Sequence, residues 1–282
     1  MSEESPYICV DSFPLFSMVQ DLVGDSVAVR MPCPSGTNPA DWTPTPTDVA
    51  VFQNARLFLF NGAGLSPWVE TVSLPESKRY DTSQSYENRL LTNEDMVTHS
   101  HGPEGAHTHG QIACTTWLDF ELTQQQLDSV AQRLALDFPE LKNQILERQE
   151  RLNERLGRFD QSLLAQKAKF ASTPLIGSHP VYQYVANRYG MNLPCVHWEP
   201  GIVPNAAEID RLEKLIAETN AKTMIWEGDP EGEVRKIVEN HGMKVVVVDP
   251  LAARPMSENA NWFDLIELQV QRLIEVANDS VE

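Results

Sequence analysis

Two α/β lobes, each built on a parallel sheet and joined by one long rigid helix, are the fold class this sequence predicts. Three observations carry it. Short apolar runs alternate with helical stretches over the first third of the chain. A single helical pattern, interrupted by no internal proline and no glycine but Gly157, fills the middle. The strand–helix alternation then restarts and continues to the end. This divides the 282 residues into an N-terminal lobe over 1–138, a connecting helix over 139–170 and a C-terminal lobe over 171–282. A chain of that length can give each lobe a core of its own.

In order, YICVDSF and SVAVRMPC are rich in β-branched residues and end in turn formers, so they read as strands. Between them PLFSMVQDLVG opens on proline, carries Leu15, Met18, Val19 and Leu22 at helical spacing, and stops at Gly24. ARLFLFNG is an unbroken apolar run, as expected of a strand buried on both faces. In the middle, Leu141, Ile145, Leu152, Leu156, Phe159 and Leu163 recur at steps of three, four and seven among charged and amide residues. From Pro139 to about Lys169 this predicts a helix roughly 45 Å long. Beyond it TPLIGSH, LPCVHW, TMIWEG and KVVVVDP read as strands. PVYQYVANRYG, NAAEIDRLEKLIAETN, PEGEVRKIVENHG and NWFDLIELQVQRLIEVAN read as helices, with Asn205 and Asn261 at N-caps and Gly190 and Gly242 at C-caps.

Charge and composition exclude several functions. A formal charge of −18 argues against nucleic acid, which requires a clustered basic surface, and against anionic membranes, while dissolved cations are drawn toward such a chain. No run reaches the roughly eighteen apolar residues of a membrane span. The opening MSEESPYICVDSF lacks the basic and apolar regions of a secretory signal, which fits a cytoplasmic chain or one that has lost its leader. Cys9, Cys33, Cys114 and Cys195 form no C-x-x-C pair and are expected as free thiols. No dinucleotide fingerprint, P-loop or nucleophile elbow is present, so an enzyme is not expected.

What remains has the chemistry of a metal site. His179 follows the strand TPLIGS and Asp249 ends the strand KVVVV. Both therefore belong at the carboxyl ends of parallel strands, the rim where open α/β sheets bind ligands. An imidazole and a carboxylate are zinc donors. Four of the seven histidines, His99, His101, His107 and His109, crowd into HSHGPEGAHTHG. The members of a His-x-His pair cannot face one way on a helix, but both can reach one ion from a glycine-containing loop.

Five stretches in order carry a family resemblance: NPADWTPTPTD (Asn38 to Asp48), NGAGLSPWVE, TTWLDF, SHPVYQYVANRYG and VVVVDPLA. Together they resemble the extracytoplasmic solute-binding proteins of zinc- and manganese-type ABC importers over nearly the whole chain. The resemblance implies a ligand cleft between the two lobes, a monomer, a membrane ABC permease as partner, and a periplasmic or extracytoplasmic location. It implies zinc, the cargo of members with His rather than Glu at the third ligand position, which here is His179, with Asp249 as the fourth. The first two ligand positions fall on Ala40 and Thr115, which offer no imidazole. The His-rich tract stands where zinc-type members carry a metal-gathering loop.

Three readings follow. A rebuilt metal receptor keeps His179 and Asp249 and recruits His99, His101, His107, His109, Cys114 or Asp41. A non-metal or protein-interaction relative uses the same scaffold for another ligand; Trp198, Glu199, Trp226 and Glu227 could hold an organic cation there. An enzyme with a weakly held zinc comes last, since no motif signals a general base.

Overall fold

The computed structural model describes residues 5–92, 112–198, 202–257 and 259–279 in full, and 99–100 and 106–107 for their backbone. The chain falls into two compact units. One comprises Met1–Trp117, Leu122–Glu154 and Ala252–Trp262; the other comprises Leu118–Glu121, Arg155–Leu251 and Phe263–Glu282.

The first unit opens with β1 (Tyr7–Val10), α1 (Phe13–Val23), β2 (Ala28–Arg30), α2 (Pro46–Asn54), β3 (Leu57–Phe60) and β4 (Arg79–Asp81). The strands form one parallel sheet in the order β2-β1-β3-β4. β1 and β3 are buried at every residue because they take the two central places, whereas β2 and β4 are half-exposed edges. α1 buries Phe13, Leu15, Met18, Val19 and Leu22 along one face and ends where Gly24 turns to a positive φ of 60°. α2 starts in a capping box: the Thr45 hydroxyl accepts the Asp48 N–H while the Asp48 carboxylate accepts the Thr45 N–H. Phe58 and Phe60 of β3 pack with Phe52 and Trp68, and Trp42 stands edge-on to Trp68 at 5.8 Å. That contact anchors the loop that carries Ala40 and Asp41. β5 (His99–Ser100) and β6 (Ala106–His107) are an antiparallel pair with His99 opposite His107.

Next come α3 (Phe120–Asp137), α4 (Lys142–Leu164) and α5 (Lys167–Ser172). The expected single helix to about Lys169 is thus shorter. A 3-10 turn precedes α4, and α4 itself has 23 residues, or about 35 Å. The break has a local cause. The Gln166 N–H bonds the Leu163 carbonyl three residues back, tightening the last turn, and Gln166 leaves helical angles before Phe170 is buried by α5. The division between the two units falls inside α4, after Glu154.

The second unit holds β7 (Leu175–Gly177), α6 (Gln183–Tyr189), α7 (Ala206–Thr219), β8 (Thr223–Trp226), α8 (Gly232–Asn240), β9 (Lys244–Val247) and most of α9 (Trp262–Asp279). β7, β8 and β9 form a parallel sheet in that order. α6 ends at Gly190 in the left-handed region, and α7 begins in a capping box between Asn205 and Glu208. LPCVHW was expected as a strand, but it makes only an isolated parallel bridge, Gly177 to Cys195. Its core is Ile176, Val196, Trp198, Leu212, Met224 and Trp226, packed against Val234 and Val238 of α8. Among the described residues no helix is long and apolar enough to cross a membrane.

Candidate metal centre

The carboxyl ends of the second sheet gather the polar groups of interest. β7 can approach the segment 195–198 because Gly177 has no side chain; a Cβ there would meet the Cys195 sulfur at 2.6 Å. Backbone bonds then run down the seam: Gly177 N–H to Pro194 O, Val196 N–H to Gly177 O, and Trp198 N–H to Ser178 O, at 2.8–3.0 Å. On its other flank Gly177 is in register with Ile225 of β8. Two residues beyond this row, His197, His179 and Glu227 come abreast on three neighbouring lanes, because side chains two apart share a face of a sheet. The contacts agree with that register. The His179 and His197 rings stand at 90° with centroids 6.4 Å apart, and His179 Nδ1 lies 3.7 Å from Glu227 Oε1. His179 is 7% exposed.

Asp249 follows the end of β9 on the next lane. Its backbone N–H donates to Gln269 Oε1 at 3.2 Å, and its carboxylate accepts the Leu251 N–H at 2.7 Å. Leu251 takes the left-handed conformation, φ 61°, that this tight turn demands. Burial raises the Asp249 carboxyl above its ordinary range, against the opposing pull of the Leu251 N–H and the Arg272 charge. Tyr182 backs the group: it is buried, and its hydroxyl donates to the Val248 carbonyl at 2.9 Å. Burial holds its phenol well above the usual range, with Glu227, Cys195 and Asp249 adding to the effect, so it stays a neutral donor.

The other sequence candidates are placed as follows. Ala40 is half-buried and Asp41 exposed, in the loop held by Trp42. Thr115 is buried. Cys114 is a free, half-buried thiol, pushed up to about 11 by burial, with Asp41 and Asp11 reinforcing the shift. At neutral pH it is therefore a thiol, not the thiolate that would suit zinc, unless a metal displaces its proton. His99 and His107 are cross-strand partners in backbone register; His101 and His109 lie outside the described residues. Among the described residues no three His, Cys, Asp or Glu side chains stand close enough together to hold a metal ion.

The suggested organic-cation cage is corrected by the packing. Trp198 and Trp226 are 2% and 0% exposed and meet edge-to-face at 6.2 Å inside the apolar core, while Glu199 lies outside the described residues. The place of His197 beside His179 was not foreseen; the available signal was that Gly177-x-His179 and Cys195-x-His197 each set a histidine two residues past a bridged position.

Two units, each built on a parallel sheet with the division between them inside α4, define a two-lobed α/β fold. The family model for ZnuA, the periplasmic component A of a zinc-uptake complex, matches residues 8–276, and the chain belongs to that family. The high-affinity zinc uptake system protein ZnuA of Bacillus subtilis is 23% identical over 95% of this chain and 85% of that protein. The zinc-binding lipoprotein AdcA of Streptococcus pneumoniae is 21% identical over 93% of this chain, which spans only 54% of that longer protein. Among solved structures, the metal-dependent lipoprotein YcdH of Bacillus subtilis superposes with a TM-score of 0.79 at 20% identity, covering 96% of this chain and 98% of that one. A crystal structure of ZnuA gives 0.76 at 23%, covering 97% and 100%. At these identities the likeness establishes the fold.

Proposed function

We propose that the chain captures a divalent metal, zinc, as the cargo of an ABC importer, with His179 and Asp249 as the retained donors. The observation that carries this is the placement of a buried imidazole and a partly buried carboxylate at the carboxyl ends of neighbouring parallel strands. Their chemistry fits the ion: neutral imidazole and carboxylate are zinc ligands, and Glu227 beside His179 Nδ1 can orient the ring so that Nε2 is offered outward. The relatives' names, a zinc uptake protein and a zinc-binding lipoprotein, point the same way. The proposed partner is a membrane permease and the proposed location extracytoplasmic. His99, His101, His107 and His109 would gather metal near the site rather than form it, and Asp41 and Cys114 are held in reserve as replacement donors.

A second reading has its own support. Ala40 and Thr115 stand where the resemblance puts two ligands, and no three described donors are already assembled. On that reading the scaffold serves a non-metal ligand or a protein partner. Titration of the metal-free chain with zinc separates the two. One-to-one binding that is lost in His179→Ala and Asp249→Ala, and kept when the four loop histidines are replaced, is the expected result. Binding lost only with the loop histidines would leave the second reading in possession.

A further inference from the structure

Resting on the metal reading above, we propose that His197 is a zinc donor that replaces a lost ligand, so that His179, His197 and Asp249 hold the ion from within the second unit alone. The register supplies the argument. The Gly177–Cys195 bridge brings a lane into line with β7 that no strand pattern marks, and it sets the two imidazoles side by side at 6.4 Å between centroids. With zinc–nitrogen bonds of about 2.0–2.1 Å, two imidazoles sharing one tetrahedral ion stand with centroids roughly 5 Å apart. The rings are therefore about 1 Å too far apart for ligation, a distance that side-chain rotation covers. Among the described residues no three donors stand already assembled, so the proposal requires these side chains to rotate together when the ion arrives.

The neighbouring groups take complementary roles. Glu227, whose Oε1 lies 3.7 Å from His179 Nδ1, is the proposed positioning residue: a small inward shift lets it accept the Nδ1–H and favour the tautomer that presents Nε2. Asp249, on the lane past β8, adds a carboxylate, and the fourth position is left to water. Two nitrogens and one oxygen suit zinc and nickel better than magnesium, calcium or manganese. A three-donor site also releases its cargo more readily than a closed four-donor one. The test separates a packed ring from a ligand.

His197→Phe keeps a ring and removes both nitrogens. His197→Cys offers a thiolate in place of the imidazole. Zinc affinity of the full chain is measured by competition with a chromogenic chelator, and the cobalt-loaded forms by absorption. The expected result is a loss of roughly tenfold or more in zinc affinity for His197→Phe. His197→Cys should add a thiolate-to-cobalt charge-transfer band that the wild type lacks, a positive signal that does not depend on comparing weakened binders. Wild-type affinity in His197→Phe, or no new band in His197→Cys, overturns this inference alone. A wild-type chain that takes up no zinc overturns the metal reading on which it rests.

Discussion

Asp11 sits at the carboxyl end of β1, fully enclosed, accepting the Asn61 N–H at 3.0 Å and the Ser66 hydroxyl at 2.9 Å. Those bonds favour the carboxylate, but burial outweighs them and pushes its pKa up to about 6. The sign follows from linkage. The folded chain binds this proton more tightly than the unfolded one, whose aspartate titrates near 4. The stability due to this group is thus fully present below about pH 4 and is lost as pH rises through about 6. Asp11→Asn copies the protonated form, with an amide N–H toward Ser66 and a carbonyl toward Asn61. In urea titrations it should match the wild type near pH 4 and exceed it at pH 8, by at most about 3 kcal/mol. An offset equal at both pH values would show that shape, not ionisation, is at issue. Legibility at this scale was uneven for a physical reason. The strand-end places of His179 and Asp249 could be read because a strand's end is visible in its own sequence. His197 could not, because its place depends on a single bridge to another lane, and cross-strand register is not written locally.

At the scale of elements, the second unit is tied together by Arg188 near the end of α6. Its guanidinium grips Asp160 of α4 through two bonds of 2.6 and 2.7 Å, and reaches Glu121 at 2.5 Å and Asp119 at 3.3 Å where α3 begins. The adjacent Tyr189 hydroxyl donates to the same Asp160 carboxylate at 2.9 Å. The carboxylates in turn raise the Arg188 pKa further, so it remains charged at all accessible pH. Arg188→Ala leaves Asp119 and Asp160 as buried charges without their cation and should cost about 3–5 kcal/mol. Arg188→Lys keeps the charge, loses the two-pronged grip and should fall between. Denaturant unfolding measures both, and a loss below about 1 kcal/mol for the alanine variant would mean water already reaches the cluster. Elements with marked ends were legible: Gly24, Gly190 and the Asn205–Glu208 capping box stop or start helices where the sequence says they should. The break at Gln166 was not, because no glycine or proline marks it and only the tightened Gln166–Leu163 turn reveals it. The three-residue β4 was not either; at that length it has no period to read and exists through its pairing with β3.

For the whole molecule, the alternation of strands and helices was enough to foresee two parallel sheets, but not that the compact units would interleave along the chain. Residues 252–262 belong to the first unit through bonds that the sequence does not announce: Phe13 N–H to Ala252 O, Gly36 N–H to Arg254 O, and Trp262 N–H to the Ser17 hydroxyl. The proposed donors His179, His197 and Asp249, by contrast, all fall within Arg155–Leu251 of the second unit. That confinement gives a prediction about where zinc acts. A ligand that prefers the native state stabilises it by about 4 kcal/mol at a thousandfold excess over its Kd, and local opening is suppressed wherever it must break the site. Hydrogen exchange should therefore slow on zinc addition in β7, β8, β9 and the 195–198 segment, and much less in β1 to β4. The effect should weaken as salt is raised, because a net charge of −18 concentrates cations at a surface that a Debye length of about 8 Å at physiological salt already partly screens. Protection spread equally over both sheets would mean that donors of the first unit, Asp41 or Cys114, share the ion. Protection at neither sheet would remove zinc from the folded chain's repertoire.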